Sequence, residues 1–388
     1  MSPSVFSSLP TPRPDPIFSI FAEAVAAGPE AINCTAGVLT DEDGQVSLLP
    51  SVQRAIADVS AELPKLRFGY PTLLGLPNYR ACVHRLLFGE TYPWYVSSIA
   101  TTGGTGALAI NLRLMKSLLK SGRLLLPVPA WANHKPPALA ANLAVVSVPY
   151  ISDGAVSMST LIDQIKREKG DFGLLLQVGC HNPTGLDLTD EQWDGLIDVL
   201  REKDCVVLLD SAYQGLKDEP EKDREPIDRF LEAGIPTLIT WSAAKNHSIY
   251  ALRTGLACAV VPDASLVSSI DGHYSRITRQ MHSSSATIGQ MVVSRTQEAY
   301  RDEWLADLRK ARTNVSHKRS LMTQSLPASF HAALKGFGMF AMLPLTVEQI
   351  RALKKEHNVF MTEDGRINIA GIPNARMVEF CEKVERVI

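Results

Sequence analysis

The sequence lacks the signals of several large protein classes. Its 388 residues carry a formal net charge of -2, and a chain without a basic excess is a poor match for nucleic acid as the main partner. No uninterrupted apolar run approaches the roughly 20 residues that a membrane-spanning helix requires. The first residues contain no basic segment followed by an apolar one, which a secretory signal would need. We therefore expect a cytoplasmic protein that binds neither nucleic acid nor a membrane.

The sequence also has no cysteine pair at metal-binding or redox spacing, and no GxSxG motif of a hydrolase. The six cysteines are scattered, several of them in apolar segments where a reduced thiol packs as a small hydrophobic group. This pattern predicts reduced cysteines and no metal site, and it disfavours a hydrolase.

What the sequence does contain is an alternation of short apolar runs with helical patterns. Hydrophobic residues make up 45% of the chain and charged residues 21%, an ordinary globular composition. Beyond residue 100, apolar runs such as FGLLLQVG, CVVLLD and TLITWS alternate with helical stretches such as TDEQWDGLIDVLREK. The alternation predicts an α/β fold with a mostly parallel central sheet between helices.

The chain length and a change of pattern near residue 300 predict two domains. A long polar helical pattern from residue 300 leads to a last segment with its own strand signals, GMFAMLPL and RINIAG. We predict an N-terminal arm over residues 1–11 and a large, ligand-binding domain over 47–312. A smaller α/β domain would be formed by 12–46 and 313–388.

A glycine-rich run, TTGGTGALA, precedes a helical pattern and includes Gly104 and Thr105. Backbone N–H groups at such a position bind anions. The GxGxxA spacing within the run would also suit a dinucleotide. However, the next strand, RLLLPVPAW, does not end in the acidic residue that holds a ribose hydroxyl. A phosphate without a ribose therefore fits this run better.

Polar side chains follow the predicted strands, where ligands bind in α/β sheets. Asp210 is costly to bury without a cation, and a pyridinium nitrogen is one such cation. Asn182 and Tyr213 can bond a ring hydroxyl, and Trp131 can stack on a ring face. Each of these residues alone is more often structural, in a turn or in the core. Together they match a phosphorylated pyridine.

Lys245 follows an apolar strand in SAAKNHSIYALRTG, eight residues before Arg253. An isolated lysine of this kind is normally a solvated surface residue. A lysine desolvated beside cationic groups, however, loses its proton near neutral pH, forms a Schiff base with an aldehyde and can then carry a proton. Ser242 and Arg253 flank Lys245 and are suited to a phosphate.

Several motifs, in chain order, resemble those of the aspartate and aromatic amino acid aminotransferases, which are pyridoxal 5'-phosphate enzymes of fold type I. They are TTGGTGAL, WANH, CHNPTGLDLT, DSAYQG, SAAKN, LRTG and DGRINIAG. DPIFSI near the start and FGYPTLLGLPNYR around Tyr70 extend the likeness to nearly the whole chain. The resemblance implies a homodimer with shared active sites. It also implies a ping-pong reaction that moves the amino group of aspartate or an aromatic L-amino acid to 2-oxoglutarate.

The resemblance also implies roles for individual residues. Lys245 would form the Schiff base and move the proton, and Asp210, backed by His134, would keep the pyridine nitrogen protonated. Asn182 and Tyr213 would hold the ring oxygen. The implied catalytic residues are Lys245, Asp210, Tyr213 and the stacking Trp131. The implied phosphate contacts are Gly104, Thr105, Ser242 and Arg253, with Tyr70 reaching in from the other subunit.

For the substrate, the resemblance implies that Arg366 grips the α-carboxylate, helped by the Gly37 backbone and Asn182, with Trp131 alongside. Arg279 falls where the family reads a distal carboxylate across the dimer interface, which implies dicarboxylic substrates. Arg276, one helical turn earlier, is the alternative.

The sequence departs from the family pattern at several positions. His282 and Ser284 stand where the aspartate enzymes usually have Tyr and Asn, and Thr40 and Val46 belong to an entry segment that separates aspartate from aromatic specificity. Ser284 and Val46 favour room for a ring. Gln177 stands where a histidine is common, so support of the pyridine nitrogen beyond Asp210 is open. A β-lyase or decarboxylase using the same cofactor, or a non-catalytic cofactor-sensing domain, are alternative functions.

Overall fold

The computed structural model describes residues 5–11, 15–46, 48–65, 69–152 and 154–388. Residues 1–4 of the predicted arm, and residues 12–14 and 47 beside the predicted domain boundaries, lie outside the described residues. Val5–Ser8 form a single 3-10 turn. The predicted domain boundaries stay predictions.

The central feature of the fold is a seven-stranded sheet in the order β2-β10-β9-β8-β7-β3-β4. Only β10 runs antiparallel to its two neighbours, so six strands of this sheet share one direction. The predicted α/β fold with a mostly parallel sheet is confirmed. The strands are β1 (Ile32–Asn33), β2 (Tyr95–Thr102), β3 (Arg123–Val128), β4 (Ala144–Pro149), β5 (Ile151–Ser152), β6 (Ala155–Val156), β7 (Phe172–Gln177), β8 (Cys205–Ser211), β9 (Thr237–Ser242), β10 (Thr254–Val261), β11 (Phe340–Met342), β12 (Val359–Phe360) and β13 (Arg366–Asn368).

Helices follow most strands of the sheet, and local sequence signals fix several of their ends. Asp15 caps the first helix by accepting from the N–H groups of Ile17 and Phe18, and Thr189 forms a capping box with Gln192. The helices are α1 (Pro16–Ala26), α2 (Pro50–Glu62), α3 (Pro77–Phe88), α4 (Gly103–Leu118), α5 (Lys135–Ala140), α6 (Met158–Arg167), α7 (Asp190–Leu200), α8 (Pro220–Asp223), α9 (Glu225–Glu232), α10 (Ala243–Asn246), α11 (Ala264–Met281), α12 (Ile288–Ala299), α13 (Arg301–Ser325), α14 (Ala328–Leu334), α15 (Val347–His357) and α16 (Met377–Glu385). Within the described part of the chain, no helix is both long and apolar enough to cross a bilayer.

Apolar side chains cover both faces of the sheet. Successive residues of a strand point to opposite sides, so each strand contributes to both of these clusters. Leu208 packs in one apolar cluster, whereas its neighbour Leu209 packs in another. A third cluster joins Ile32 and Cys34 to apolar side chains between residues 322 and 384. It includes Ile367 of β13, the strand that begins with Arg366, and so anchors that strand.

Candidate active site

The residues predicted from the strand ends meet at one edge of the sheet. They surround a cavity of about 210 Å³ next to the ends of β8 and β9 and the start of α4. We call this space the cofactor cavity. Gln177, Ala212 and Ala244 line it together with eight of the predicted residues, which are Gly104, Thr105, Trp131, Asp210, Tyr213, Ser242, Lys245 and Arg253.

One end of the cofactor cavity is built to hold an anion. α4 begins at Gly103, which has a φ of +72°, and a Cβ there would lie 2.6 Å from a guanidinium nitrogen of Arg253. A Cβ at Gly104 would lie 3.0 Å from the Cβ of Ser242. Glycine at these two positions therefore lets the helix start approach the arginine and the serine hydroxyl. Helix N–H groups, a guanidinium and a hydroxyl are the donors that a phosphate requires.

Lys245 lines the same cavity and lies on the short helix α10. Ser242 caps this helix by accepting from the N–H of Ala244 at 3.2 Å. The half-buried Lys245 places its Nζ 5.3 Å from the centre of the Tyr213 ring. Burial lowers its pKa to about 8, with Asp210 raising the pKa and Arg253 lowering it. A substantial fraction of this amine is thus neutral and nucleophilic near physiological pH.

Asp210 is the last residue but one of the buried strand β8 and is only 6% exposed. Its Oδ2 lies 2.8 Å from Nε2 of His134, which is itself buried. Nδ1 of His134 is buried and has no hydrogen-bond partner among the described residues. The predicted support of Asp210 by His134 is therefore present in the geometry, but nothing within the described part of the chain fixes the far side of the imidazole.

Asn182 and Tyr213 form a second pair beside the cofactor cavity. The Asn182 amide donates to the Tyr213 hydroxyl at 3.1 Å, while Oδ1 of Asn182 is buried without a partner among the described residues. Burial raises the pKa of Tyr213 far above its usual value, so its hydroxyl stays protonated and can donate. Gln177 exchanges two hydrogen bonds with the Asn182 backbone, at 2.9 and 3.0 Å.

Arg366 belongs to a neighbouring, larger cavity of about 930 Å³ that also touches Asn182 and α1. The guanidinium is buried, donates to the carbonyl of Thr35 at 2.8 Å and lies 5.2 Å from the ring centre of Phe340. Among the described residues it has no carboxylate within ion-pairing distance. A Cβ at Gly37 would lie 3.1 Å from the same Phe340 ring. The arrangement leaves a buried cation available to a carboxylate ligand.

Among the predicted residues that line neither cavity, Tyr70, Arg276 and Arg279 are exposed on this single chain, whereas Gly37 is half-buried. Tyr70 is 95% exposed. Arg279 is exposed and donates to the Ser283 hydroxyl at 3.1 Å, and Arg276 is exposed and contacts His273. Their assigned roles require a second subunit and remain predictions.

Four of the positions that depart from the family pattern, Thr40, Val46, His282 and Ser284, also lie outside the residues that line the two cavities, whereas the fifth, Gln177, lines the cofactor cavity. Thr40 and Val46 pair with each other in an isolated bridge, and Thr40 donates to the carbonyl of Ala370 at 2.5 Å. His282 contacts the Ser285 hydroxyl at 3.2 Å.

Sequence reasoning missed two contributors to the site. Phe340 lies under Arg366 and against Tyr213, with ring centres 6.1 Å apart, and no motif near it indicated this role. The family pattern indicates only that Gln177 stands where a histidine is common, although Gln177 is the last residue of β7 and so lies at a strand end. A search for amide side chains at strand ends would have found it.

The family model for aminotransferase class I and II matches residues 29–384. The chain belongs to this family. It is 30% identical to the aromatic-amino-acid aminotransferase of Escherichia coli (94% of this chain and 95% of that protein). It is also 30% identical to the aspartate aminotransferase of Pseudomonas aeruginosa (99% and 100%).

The solved structure of the aromatic-amino-acid aminotransferase of Burkholderia pseudomallei, described as covalently bound to pyridoxal phosphate, is similar over 99% of both chains. The TM-score is 0.94 and the identity is 27%. The predicted family, fold and aminotransferase activity are thereby confirmed.

Proposed function

We propose that this aminotransferase uses pyridoxal 5'-phosphate to move the amino group of aspartate or an aromatic L-amino acid to 2-oxoglutarate in a ping-pong reaction. The observation that carries the proposal is Lys245, whose pKa is lowered to about 8 in a cavity that also contains Asp210 and Arg253. The Burkholderia relative carries this cofactor covalently.

The residues present fit each part of the cofactor. The start of α4, Ser242 and Arg253 offer donors to a phosphate. At the opposite end, the buried carboxylate of Asp210 offers an ion-pair partner to a pyridinium nitrogen. The Asn182 amide and the protonated Tyr213 hydroxyl offer hydrogen bonds to a ring oxygen between these ends. When bound, pyridoxal phosphate supplies an aldehyde that captures amino groups and a ring that draws electrons from the substrate Cα.

The protein groups then have defined tasks. Nζ of Lys245, neutral in part because of its lowered pKa, would hold the cofactor at its aldehyde carbon and would carry the proton removed from the substrate Cα. Asp210 would hold the ring nitrogen in its protonated form, while His134 bonds Oδ2 of the Asp210 carboxylate. Trp131 lines the cavity and packs its ring edge-on against His134, with ring centres 5.3 Å apart, so its indole is positioned to cover a ring face.

The substrate would enter through the larger cavity. Arg366 would bind its α-carboxylate as a planar fork, because two parallel N–H donors match two carboxylate oxygens. Part of the wall of this cavity is apolar and is formed by Ile17, Ile20 and Phe360. This apolar surface supports the inclusion of amino acids with aromatic side chains among the substrates.

A homodimer completes the proposal. Tyr70 and Arg279 are exposed on the isolated chain, and the proposal assigns both to the active site of the other subunit. An exposed tyrosine and an exposed arginine that forms no ion pair among the described residues are the side chains that such an interface would enclose.

A single half-reaction tests the proposed chemistry. The cofactor-loaded protein is mixed with aspartate in the absence of any oxo acid, and products are separated by chromatography. We expect one pyridoxamine phosphate and one oxaloacetate per site, followed by return of pyridoxal phosphate on addition of 2-oxoglutarate. Release of carbon dioxide would instead establish a decarboxylase. A β-lyase would leave aspartate and the pyridoxal phosphate unchanged, and would release ammonia, pyruvate and the leaving group from an amino acid that carries a β-substituent.

The distal carboxylate offers a second test with a matched control. We expect Arg279→Ala to lower kcat/KM for aspartate by about 100-fold, because loss of one partner of a buried charge pair costs about 2–5 kcal/mol. Turnover of phenylalanine should change little. Arg276→Ala removes the same charge one helical turn away and should leave both substrates unaffected. If the two variants exchange these effects, Arg276 reads the carboxylate.

A further inference from the structure

Gln177 lines the cofactor cavity, and none of the residue roles given above accounts for its hydrogen bonds. It is the last residue of β7 and lines the cofactor cavity, while Asn182, five residues later, lines the larger cavity that contains Arg366. The two residues therefore connect the cofactor compartment to the substrate compartment.

The side-chain amide of Gln177 satisfies both backbone polar groups of Asn182. Its Nε2 donates to the Asn182 carbonyl at 2.9 Å, and its Oε1 accepts from the Asn182 N–H at 3.0 Å. Among the described residues these are the hydrogen bonds of those two groups. Asp187 holds the preceding turn separately, by accepting from the N–H groups of Cys180 and His181 at 2.9 Å each.

We propose that Gln177 is a positioning residue that fixes Asn182 between the cofactor and the substrate. The inference rests on the proposed function, and it adds a residue that acts through another one. With its backbone held at two points, Asn182 keeps its amide 3.1 Å from the Tyr213 hydroxyl and its unpartnered Oδ1 buried at the site. An apolar side chain at 177 would leave a buried N–H and a buried carbonyl unsatisfied, so the Asn182 segment would shift to find new partners.

Among the described residues, Gln177 makes no hydrogen bond to the unpartnered Nδ1 of His134. Gln177 and His134 share the lining of a space of about 10 Å³, but both polar ends of Gln177 are engaged with Asn182. Gln177 thus supports the asparagine rather than the histidine behind Asp210.

A double-mutant cycle separates these two routes. We measure the dissociation constant of pyridoxal phosphate from the cofactor-free protein by equilibrium dialysis, and kcat/KM for the amino acid. Gln177→Leu should weaken cofactor binding by about 10-fold and lower kcat/KM by a similar factor. Because the effect passes through Asn182, adding Gln177→Leu to Asn182→Ala should change either quantity by less than about 3-fold. Additive losses would overturn the inference and assign Gln177 a separate action.

Two further variants keep the test decisive. Gln290→Leu is the matched control, since buried Gln290 also accepts from a backbone N–H and donates to a carbonyl, those of Leu76 and Ala286. It should change cofactor affinity by less than about 3-fold. Should Gln177→Leu not fold, Gln177→Glu preserves length and the acceptor for the Asn182 N–H, and should give a smaller loss that also disappears in the Asn182→Ala background.

Measurements on the wild-type protein distinguish a failure of the proposed function from a failure of the role proposed for Gln177. If it binds no pyridoxal phosphate, the proposed function fails. If it binds and transaminates normally while Gln177→Leu behaves like Gln290→Leu, only the role of Gln177 fails.

Discussion

The lowered pKa of Lys245 can be measured in the cofactor-free protein without any assay of catalysis. The structure lowers this pKa from 10.5 to about 8, mainly through burial. At pH 7, about 10% of the amine is then neutral, compared with about 0.03% for an ordinary lysine. The reactive fraction is therefore about 300-fold larger.

The assay is competitive acetylation followed by peptide mass spectrometry across a pH series. The rate at Lys245 should rise to a plateau above about pH 9. Exposed Lys222, which lies 2.7 Å from Glu225 and has a raised pKa, serves as an internal control whose rate keeps rising beyond pH 10.5. A Lys245 profile that follows that of Lys222 would refute the electrostatic reasoning.

Three further predictions concern buried or partly buried charged groups, two of them at the site and one, Lys318, outside the residues that line the two cavities. Asp210→Asn should lower the pKa of Lys245 further and Arg253→Leu should raise it, because the carboxylate favours and the guanidinium disfavours the ammonium; the same acetylation series measures both shifts. Arg366→Lys should lower kcat/KM by about 100-fold, mainly through KM in steady-state assays, since a point charge replaces the bidentate fork; an unchanged KM would argue against a carboxylate contact. Lys318 is buried with its pKa lowered to about 8, and its Nζ donates to two carbonyls. Between about pH 8 and 10.5 the unfolded chain holds this proton and the folded chain has lost it, so the free energy of unfolding should rise with pH there. In Lys318→Met that rise should be reduced in urea titrations, and an unchanged slope would contradict the lowered pKa.

The strands with nearly continuous apolar runs could be predicted from the sequence, and β2 could not. CVVLLD became β8 because apolar residues cover both of its faces. β2 escaped prediction because Ser97 and Ser98 interrupt its apolar pattern. Both serines are nevertheless buried, with Ser97 donating to Asp271 at 2.5 Å and Ser98 bonding His84 at 2.8 Å. Such long-range partners are invisible in a local pattern, and so is the antiparallel direction of β10.

The residues of the site also fall into two groups, those that the sequence could predict and those that it could not. Asp210, Ser242 and Lys245 could be found because each stands at or just beyond the end of a recognisable strand. Phe340 reaches Arg366 and Tyr213 only through the packing of β11 beside β13, which no local spacing encodes. Tyr70 and Arg279 point to a different limit, since their proposed partners belong to a second copy of the chain.

The position of covalent attachment tests the central claim most directly. Protein loaded with one equivalent of pyridoxal phosphate is reduced with borohydride, digested and analysed by mass spectrometry. The account predicts a stoichiometric pyridoxyl group on the peptide that contains Lys245, and no attachment at that peptide in Lys245→Ala, which should also lose amino transfer. Stoichiometric label on another lysine, or wild-type turnover by Lys245→Ala, would contradict it.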